Sequence, residues 1–230
     1  MKGWNMKKLF LAGGIVNTIC LITLILFMGI RLPAFGMWFY RWHYRVNNTY
    51  ERVNMKPENL HEVTQHMIQY LKGHEPYLQI MTKVDGVYRY FFSKIEIRHL
   101  LDVYDLFAIG FTIQNTFIAL FLLTLGLFLL GGRKQIAYLF RSWQIGATIT
   151  LLSLLTLTIL IAINWHRAFV IFHQIFFDND YWMLDYQVDL LINIVPYEFF
   201  IAASIFVGSF LAIGMLMLFL SSSLALRKIH

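Results

Sequence analysis

Four long, predominantly apolar runs dominate the chain, at residues 9–30, 106–130, 145–163 and 199–220. Each holds roughly 20 residues, the length a helix needs to cross a hydrocarbon core of about 30 Å. Between the first two runs, polar residues return with the periods of ordinary folded structure. From 57 to 72, Leu60, Val63, Met67 and Leu71 recur at helical spacing, with Pro57 suited to a first turn and Gly73 to a stop, which predicts an amphipathic helix. Residues 77–83 and 87–92 are rich in β-formers and are joined through Asp85-Gly86, a hairpin signal. Ser93 with Glu96 three residues later makes a capping box. It opens a helix that carries Ile95, Ile97, Leu100, Leu101 and Tyr104 and runs on into the second apolar run.

The pattern predicts an α-helical polytopic membrane protein, with four transmembrane helices and a small α+β extracytoplasmic cap. Its segments are a first anchor helix at 1–30, the cap at 31–105, and a helix pair with a short basic turn at 106–163. A second outer segment follows at 164–198, then a last helix with a basic tail at 199–230. The first run is longer than the apolar core of a cleaved leader and lacks a small-residue cleavage site, so a retained anchor is expected.

Composition agrees. Of the 230 residues, 58% are hydrophobic and 14% charged, against about a quarter charged in an ordinary soluble domain. The net charge of +6 would invite a nucleic-acid reading only if it formed a basic face on a soluble fold. It does not: Lys2, Lys7, Lys8, Arg133, Lys134, Arg141, Arg227 and Lys228 flank the runs with no acid among them, while all thirteen Asp and Glu lie in 31–105 and 164–198. The positive-inside bias then places both termini in the cytoplasm and the cap outside. Eleven of the twelve Tyr fall on the outer side, more than an interfacial belt requires, so rings are expected to line a site for something greasy.

Chemistry is narrowed by elimination. The one cysteine, Cys20, sits inside the first run, so neither a disulfide framework nor a cysteine metal site can form. No G-x-S-x-G elbow occurs. His61 and His66 are five apart, which turns them about 140° away from each other on a helix, whereas a zinc pair needs a step of four. No metal is expected there. Two other histidines sit at a matching depth just above the outer boundary: His99, with Asp102 one turn on, and His173, with Phe172, Phe176 and Phe177 around it. An unperturbed imidazole exchanges protons near pH 6.5. Asp102 has two readings, orienting His99 or pairing with Arg98.

The order His99-x-x-Asp102-Val103 before the second span, then Phe172-His173-x-x-Phe176-Phe177, Trp182, Asp185, Asp189, Pro196 and Phe199-Phe200 before the fourth, resembles the lipoprotein intramolecular transacylases over nearly the whole chain. That resemblance implies catalytic roles for His99 and His173. It implies supporting roles for Asp102, Asp185 and Asp189, and a substrate-lining role for Phe172, Phe176, Phe177 and Trp182. The implied substrate is a diacylglyceryl lipoprotein in a bacterial cell membrane, with no cofactor, nucleotide or nucleic acid. The implied reaction carries the sn-2 acyl chain to the amine of the lipidated cysteine through an eight-membered ring, leaving an N-acyl lyso-form product. Since the substrate brings its own nucleophile, the missing enzyme nucleophile fits. Which histidine acts as base stays open, with His99 favoured by Asp102. The rival expectation is a non-catalytic membrane protein whose cap binds a lipid or a protein partner.

Overall fold

The structure is a computed structural model and describes residues 2–229; in the basic flank before the first span, the side chains of Lys2 and Lys7 lie outside the described residues. Nine helices and one hairpin follow in order among the described residues: α1 (Lys2–Phe35), α2 (Met37–Val46), α3 (Thr49–Arg52), α4 (Pro57–Leu71), β1 (Met81–Val84), β2 (Val87–Tyr90), α5 (Lys94–Gly131), α6 (Arg133–Ile163), α7 (Trp165–Phe176), α8 (Leu190–Ile194) and α9 (Tyr197–Ile229). Four of these helices are long and apolar enough to cross a membrane: Lys8–Phe35, Lys94–Gly131, Arg133–Ile163 and Tyr197–Ile229.

The chain divides into two units. The first comprises Met1–Gly29, Thr112–Ile163 and Val207–His230, and consists of membrane helices. Apolar burial cannot hold helices together in lipid, so small residues and internal polar bonds matter more there. Asn17 of α1 is fully buried: its Nδ2 donates to the Phe121 carbonyl (3.1 Å) and to Thr124 Oγ1 (2.8 Å) of α5, and its Oδ1 accepts from Trp143 Nε1 of α6 (2.9 Å). One amide thereby ties three helices. Gly146 of α6 packs so closely on α1 that an added methyl would run into Thr18 Cγ2, and Gly14 meets Ser142 in the same way. Ala147, Leu211, Met215 and Leu218 form the unit's small core.

The second unit comprises Ile30–Phe111 and Asn164–Phe206. Its core is larger and aromatic. The periodic face of α4, Leu60, Val63, Met67 and Leu71, is buried against Phe39, Tyr40 and Tyr44 of α2, with Val84 of β1, Leu100 of α5, Leu191 and Ile194 of α8 and Phe199 of α9 completing the cluster. Tyr44 keeps its hydroxyl satisfied inside it through Thr64 Oγ1 at 2.8 Å. The hairpin pairs Met81 with Tyr90 and Val84 with Val87, and turns on Asp85 (φ 52°) and Gly86 (φ 80°). Two successive positive φ values define the mirror-image turn that Asp-Gly favours. Thr82 and Val84 point inward, whereas β2 is exposed throughout.

α5 has 38 residues, about 57 Å at 1.5 Å per residue, close to twice a hydrocarbon core. Its first turns are therefore free to stand clear of the lipid, and they belong to the second unit. The capping box forms as the sequence predicts: Ser93 N–H donates to Glu96 Oε2, and Glu96 N–H to Ser93 Oγ. The histidines of α4 part company. His61 Nε2 meets the Tyr50 hydroxyl at 2.8 Å, while His66 Nε2 donates to the Tyr77 carbonyl at 2.9 Å. Three short helices, α2, α3 and α8, go beyond the sequence reading.

Candidate functional site

His99 sits in the second turn of α5 and His173 in the last turn of α7, both in the second unit. The two rings lie 6.2 Å apart between centroids, tilted by 36°. α7 starts where Asn164 caps it: Asn164 Oδ1 accepts from Arg167 N–H at 2.9 Å. Its last turn then presents His173 inward, 5% exposed, while Phe172 and Phe176 on either side are 46% and 48% exposed.

Both imidazoles line one cavity of about 420 Å³. Its wall is almost wholly apolar, with Met67, Leu100, Val103, Phe169 and Phe200 among its members. A pocket of this size, apolar with a few convergent polar atoms, is the ordinary form of a small-molecule site. Four aromatic rings pack directly on the histidines. Trp182 stacks on His173 (4.7 Å, 29°), Phe169 lies 4.2 Å from it and Phe172 meets it edge-on at 5.4 Å. Phe177 touches both imidazoles, at 5.4 Å from His99 and 5.7 Å from His173. Of the expected lining residues, Phe172, Phe177 and Trp182 reach the cavity wall; Phe176 stands outside it, packed on Phe172 at 4.8 Å.

The hydrogen bonds separate the two imidazoles chemically. His173 Nδ1 is 2.8 Å from the Phe169 carbonyl, and because a carbonyl only accepts, Nδ1 carries the proton. The neutral ring therefore keeps its lone pair on Nε2. His99 Nδ1 is buried without a hydrogen-bond partner. Burial lowers the basicity of both rings. It takes His99 down to about 4, with the neighbouring His173 adding to the effect and Asp102 opposing it. His173 is also lowered by burial, opposed by its bond to Phe169. For both rings the shift favours the neutral form.

The three expected supporting acids are placed differently from one another. Asp102 is engaged by the loop: its Oδ2 accepts from Asn179 Nδ2 at 2.9 Å. Arg98 is likewise occupied elsewhere, donating to the Tyr181 hydroxyl at 2.9 Å with its guanidinium 5.4 Å above that ring. Through Asp102 and Arg98, α5 thus also holds the 177–189 loop from either side of His99. Sequence reasoning missed Asn179 and Tyr181, since nothing local marks a partner 77 or 83 residues away. Asp185 and Asp189 bracket one turn, closed by Asp185 N–H donating to Asp189 Oδ2 (2.9 Å) and Gln187 N–H to Asp185 Oδ1 (2.8 Å). The bonds of both carboxylates go to Ser93 and to main-chain N–H groups of the turn. Among the described residues no group of three or more His, Cys, Asp or Glu could hold a metal ion.

Membrane-length helices, together with an apolar, aromatic-walled cavity onto which two imidazoles converge, fit one class: an integral membrane enzyme with a site for a lipid-like group. The chain belongs to a particular family within that class, since the family model described as "Lipoprotein intramolecular transacylase Lit" matches residues 15–200. It is a membrane acyltransferase of lipoproteins, and the rival of a non-catalytic cap is set aside. Solved structures agree in fold. The in meso structure of the membrane integral lipoprotein intramolecular transacylase Lit from Bacillus cereus superposes with a TM-score of 0.78 at 21% identity, covering 97% of both chains. A histidine-to-arginine form of that protein gives 0.74 at 20% identity over 99% of this chain and 96% of that one. A histidine-to-alanine form gives 0.75 at 20% over 99% and 98%. No curated protein matches the chain by sequence.

Proposed function

We propose that the protein moves the sn-2 acyl chain of a diacylglyceryl lipoprotein onto the amino group of its lipidated N-terminal cysteine, with His173 carrying the proton and His99 stabilising the oxyanion. One observation carries this reading: two imidazoles, 6.2 Å apart, face one apolar cavity. That separation is short enough for both to hydrogen-bond to substituents of a single tetrahedral carbon. The fixed tautomer of His173 supports it as the base, its free Nε2 taking a proton from the attacking amine. His99 is then the donor that stabilises the oxyanion. Neutral imidazole serves as such an electrophile when its pKa is held low. This reverses the assignment that Asp102 favoured, because the Asp102 carboxylate is engaged by Asn179.

The step balances within one substrate molecule. A C–N bond forms, the C–O bond to the sn-2 carbon's oxygen breaks, and the amine proton ends on that oxygen by way of His173. Attack closes a ring of eight atoms: amine nitrogen, Cα, Cβ, sulfur, two glyceryl carbons, ester oxygen and acyl carbon. Medium rings close reluctantly, so holding both ends together supplies much of the rate. Each assisted proton transfer is worth about 10²- to 10⁴-fold. Phe172, Phe177 and Trp182 wall the acyl chain, while Asp102, Asp185 and Asp189 act at one remove by shaping the loop. We further place residues 31–105 and 164–198 outside the cytoplasmic membrane, with both termini in the cytoplasm and the basic flanks as the orienting charge.

The test is a synthetic diacylglyceryl lipopeptide, incubated with purified protein in detergent and followed by mass and amine reactivity. The expected product has unchanged mass, a blocked amine and a free sn-2 hydroxyl. A mass gain of one acyl group would mean an external donor and overturn the proposal. His99→Ala and His173→Ala should each lose at least 100-fold in rate while remaining folded, and full activity in either would remove that residue.

A further inference from the structure

We propose that Glu96 is a positioning residue for the histidine pair, acting as a clamp between the turn that carries His99 and the loop that carries Trp182. This rests on the two-histidine reading above and adds a residue that the sequence assigns only to a local cap.

The two ends of one carboxylate carry the argument. A capping box uses a single oxygen, and Glu96 Oε2 serves it by accepting from Ser93 N–H. The other oxygen, Oε1, accepts from the backbone N–H of Leu191, 95 residues further along, at 2.5 Å. Leu191 is in the first turn of α8, whose own N-cap residue, Asp189, makes no side-chain cap bond to that helix. Asp189 is turned instead toward Ser93 Oγ, which donates to its Oδ1 at 3.0 Å, and toward Asp185 N–H. α8 is thus capped by α5. Glu96 is 1% exposed and Asp189 5%, so both carboxylates are out of solvent and held by donors. An unpaired buried acceptor or donor is expensive, which makes this arrangement hard to rearrange by small steps.

The position of the clamp explains what it does. Glu96 precedes His99 by three residues, so it lies about one turn away on the same helix face. The loop it fastens runs from Phe177, which touches both imidazoles, through Trp182, which stacks on His173, to Leu191 itself, which lines the cavity. Asn179 and Tyr181 tie the middle of the same loop to Asp102 and Arg98. With the Leu191 bond gone, the loop's far end is free to lift. Trp182 then leaves His173, water enters and the imidazoles regain basicity. A misplacement of about 1 Å in a reacting pair costs on the order of 100-fold in rate.

Glu96→Gln is close to isosteric and leaves one carbonyl oxygen to accept, so one of the two backbone N–H groups loses its partner. The assay is transfer on the synthetic lipopeptide across pH, with the thermal midpoint measured on the same sample. The expected result is a loss of tenfold or more in kcat with little change in KM, together with an enzyme acid limb moved to higher pH. A purely structural role would lower the midpoint and the amount of active enzyme but scale every pH point alike. That outcome overturns the proposal, as does a wild-type rate and profile. If Glu96→Gln does not accumulate, Glu96→Asp is read by the same profile, since it keeps the charge but falls short by a methylene. His99→Ala, run in parallel, separates the two ideas: activity there would sink the two-histidine reading, whereas an unshifted Glu96→Gln profile with His99→Ala inactive sinks only the clamp.

Discussion

Replacing His43 by leucine should stabilise the protein, and more so in acid. His43 of α2 is fully buried, and neither Nδ1 nor Nε2 has a hydrogen-bond partner. Its ring sits edge-on to Phe199 at 5.2 Å, beside Trp42 and Tyr44. Burial holds its pKa down to about 4, helped by the positive charge of Arg52 and opposed by Glu198. In the unfolded chain the same group titrates near 6.5. Between those values the unfolded state binds more protons than the folded state, so stability is full above pH 6.5 and falls as pH drops toward 4. A difference of about 2.5 pKa units at 1.36 kcal/mol each gives a loss of about 3 kcal/mol by pH 4. At neutral pH, deleting two unpaired polar atoms gains on the order of 1–3 kcal/mol, less about 1 kcal/mol for the lost ring contact. Detergent-solubilised wild type and His43→Leu would be melted from pH 7.5 to 4.5. Titrations common to both cancel in the difference, so the gap between midpoints isolates this group. The gap should widen steadily below pH 6.5. Parallel curves, or a variant less stable at every pH, would refute the reasoning.

Because burial lowers both site histidines, the enzyme should lose no activity to imidazole protonation until below pH 6.5. In kcat/KM the limb near pH 8 should belong to the substrate's α-amine and move with that amine's pKa; an enzyme limb at 6.5 would contradict this. Trp182→Ala, by removing the ring stacked on His173, should lower kcat about 10- to 100-fold and move the acid limb upward, whereas Trp182→Phe should retain most of the rate. In the membrane unit, Gly146→Ala should cost about 1–3 kcal/mol through its clash with Thr18 Cγ2, measured by thermal inactivation in detergent. The pair Gly146→Ala with Thr18→Ala should recover most of that loss; no recovery would mean the helices do not approach there.

The elements legible in the sequence are those whose signals lie within a few residues of each other. The spans announce themselves by length. The turn of the hairpin is written in Asp85-Gly86, and the start of α5 in Ser93 and Glu96. α2 escaped because its two faces are both aromatic: Tyr40 and Tyr44 are buried, while Trp38 and Trp42 are 52% and 47% exposed, each pair four apart. Rings with a polar edge sit as readily at an interface as in a core, so apolar periodicity does not separate such faces. α8 escaped for a different reason. It is five residues long and the group that caps it lies on α5.

The same distinction decides how much of the site was visible. His99 and His173 could be paired by depth because each lies a countable distance from the end of an apolar run, and a helix turns that count into a length. What each imidazole does depends on its hydrogen-bond partners, and those are not countable. Asp102, three residues from His99, has the right spacing to orient it, yet Asn179 takes the carboxylate. Phe169, four residues before His173, instead fixes a tautomer through its main-chain carbonyl, a partner every residue type possesses and no motif can encode. Roles in an acid/base pair follow from where the protons sit, so the assignment of base and donor rests on the backbone path of α7 and on the loop that closes over it.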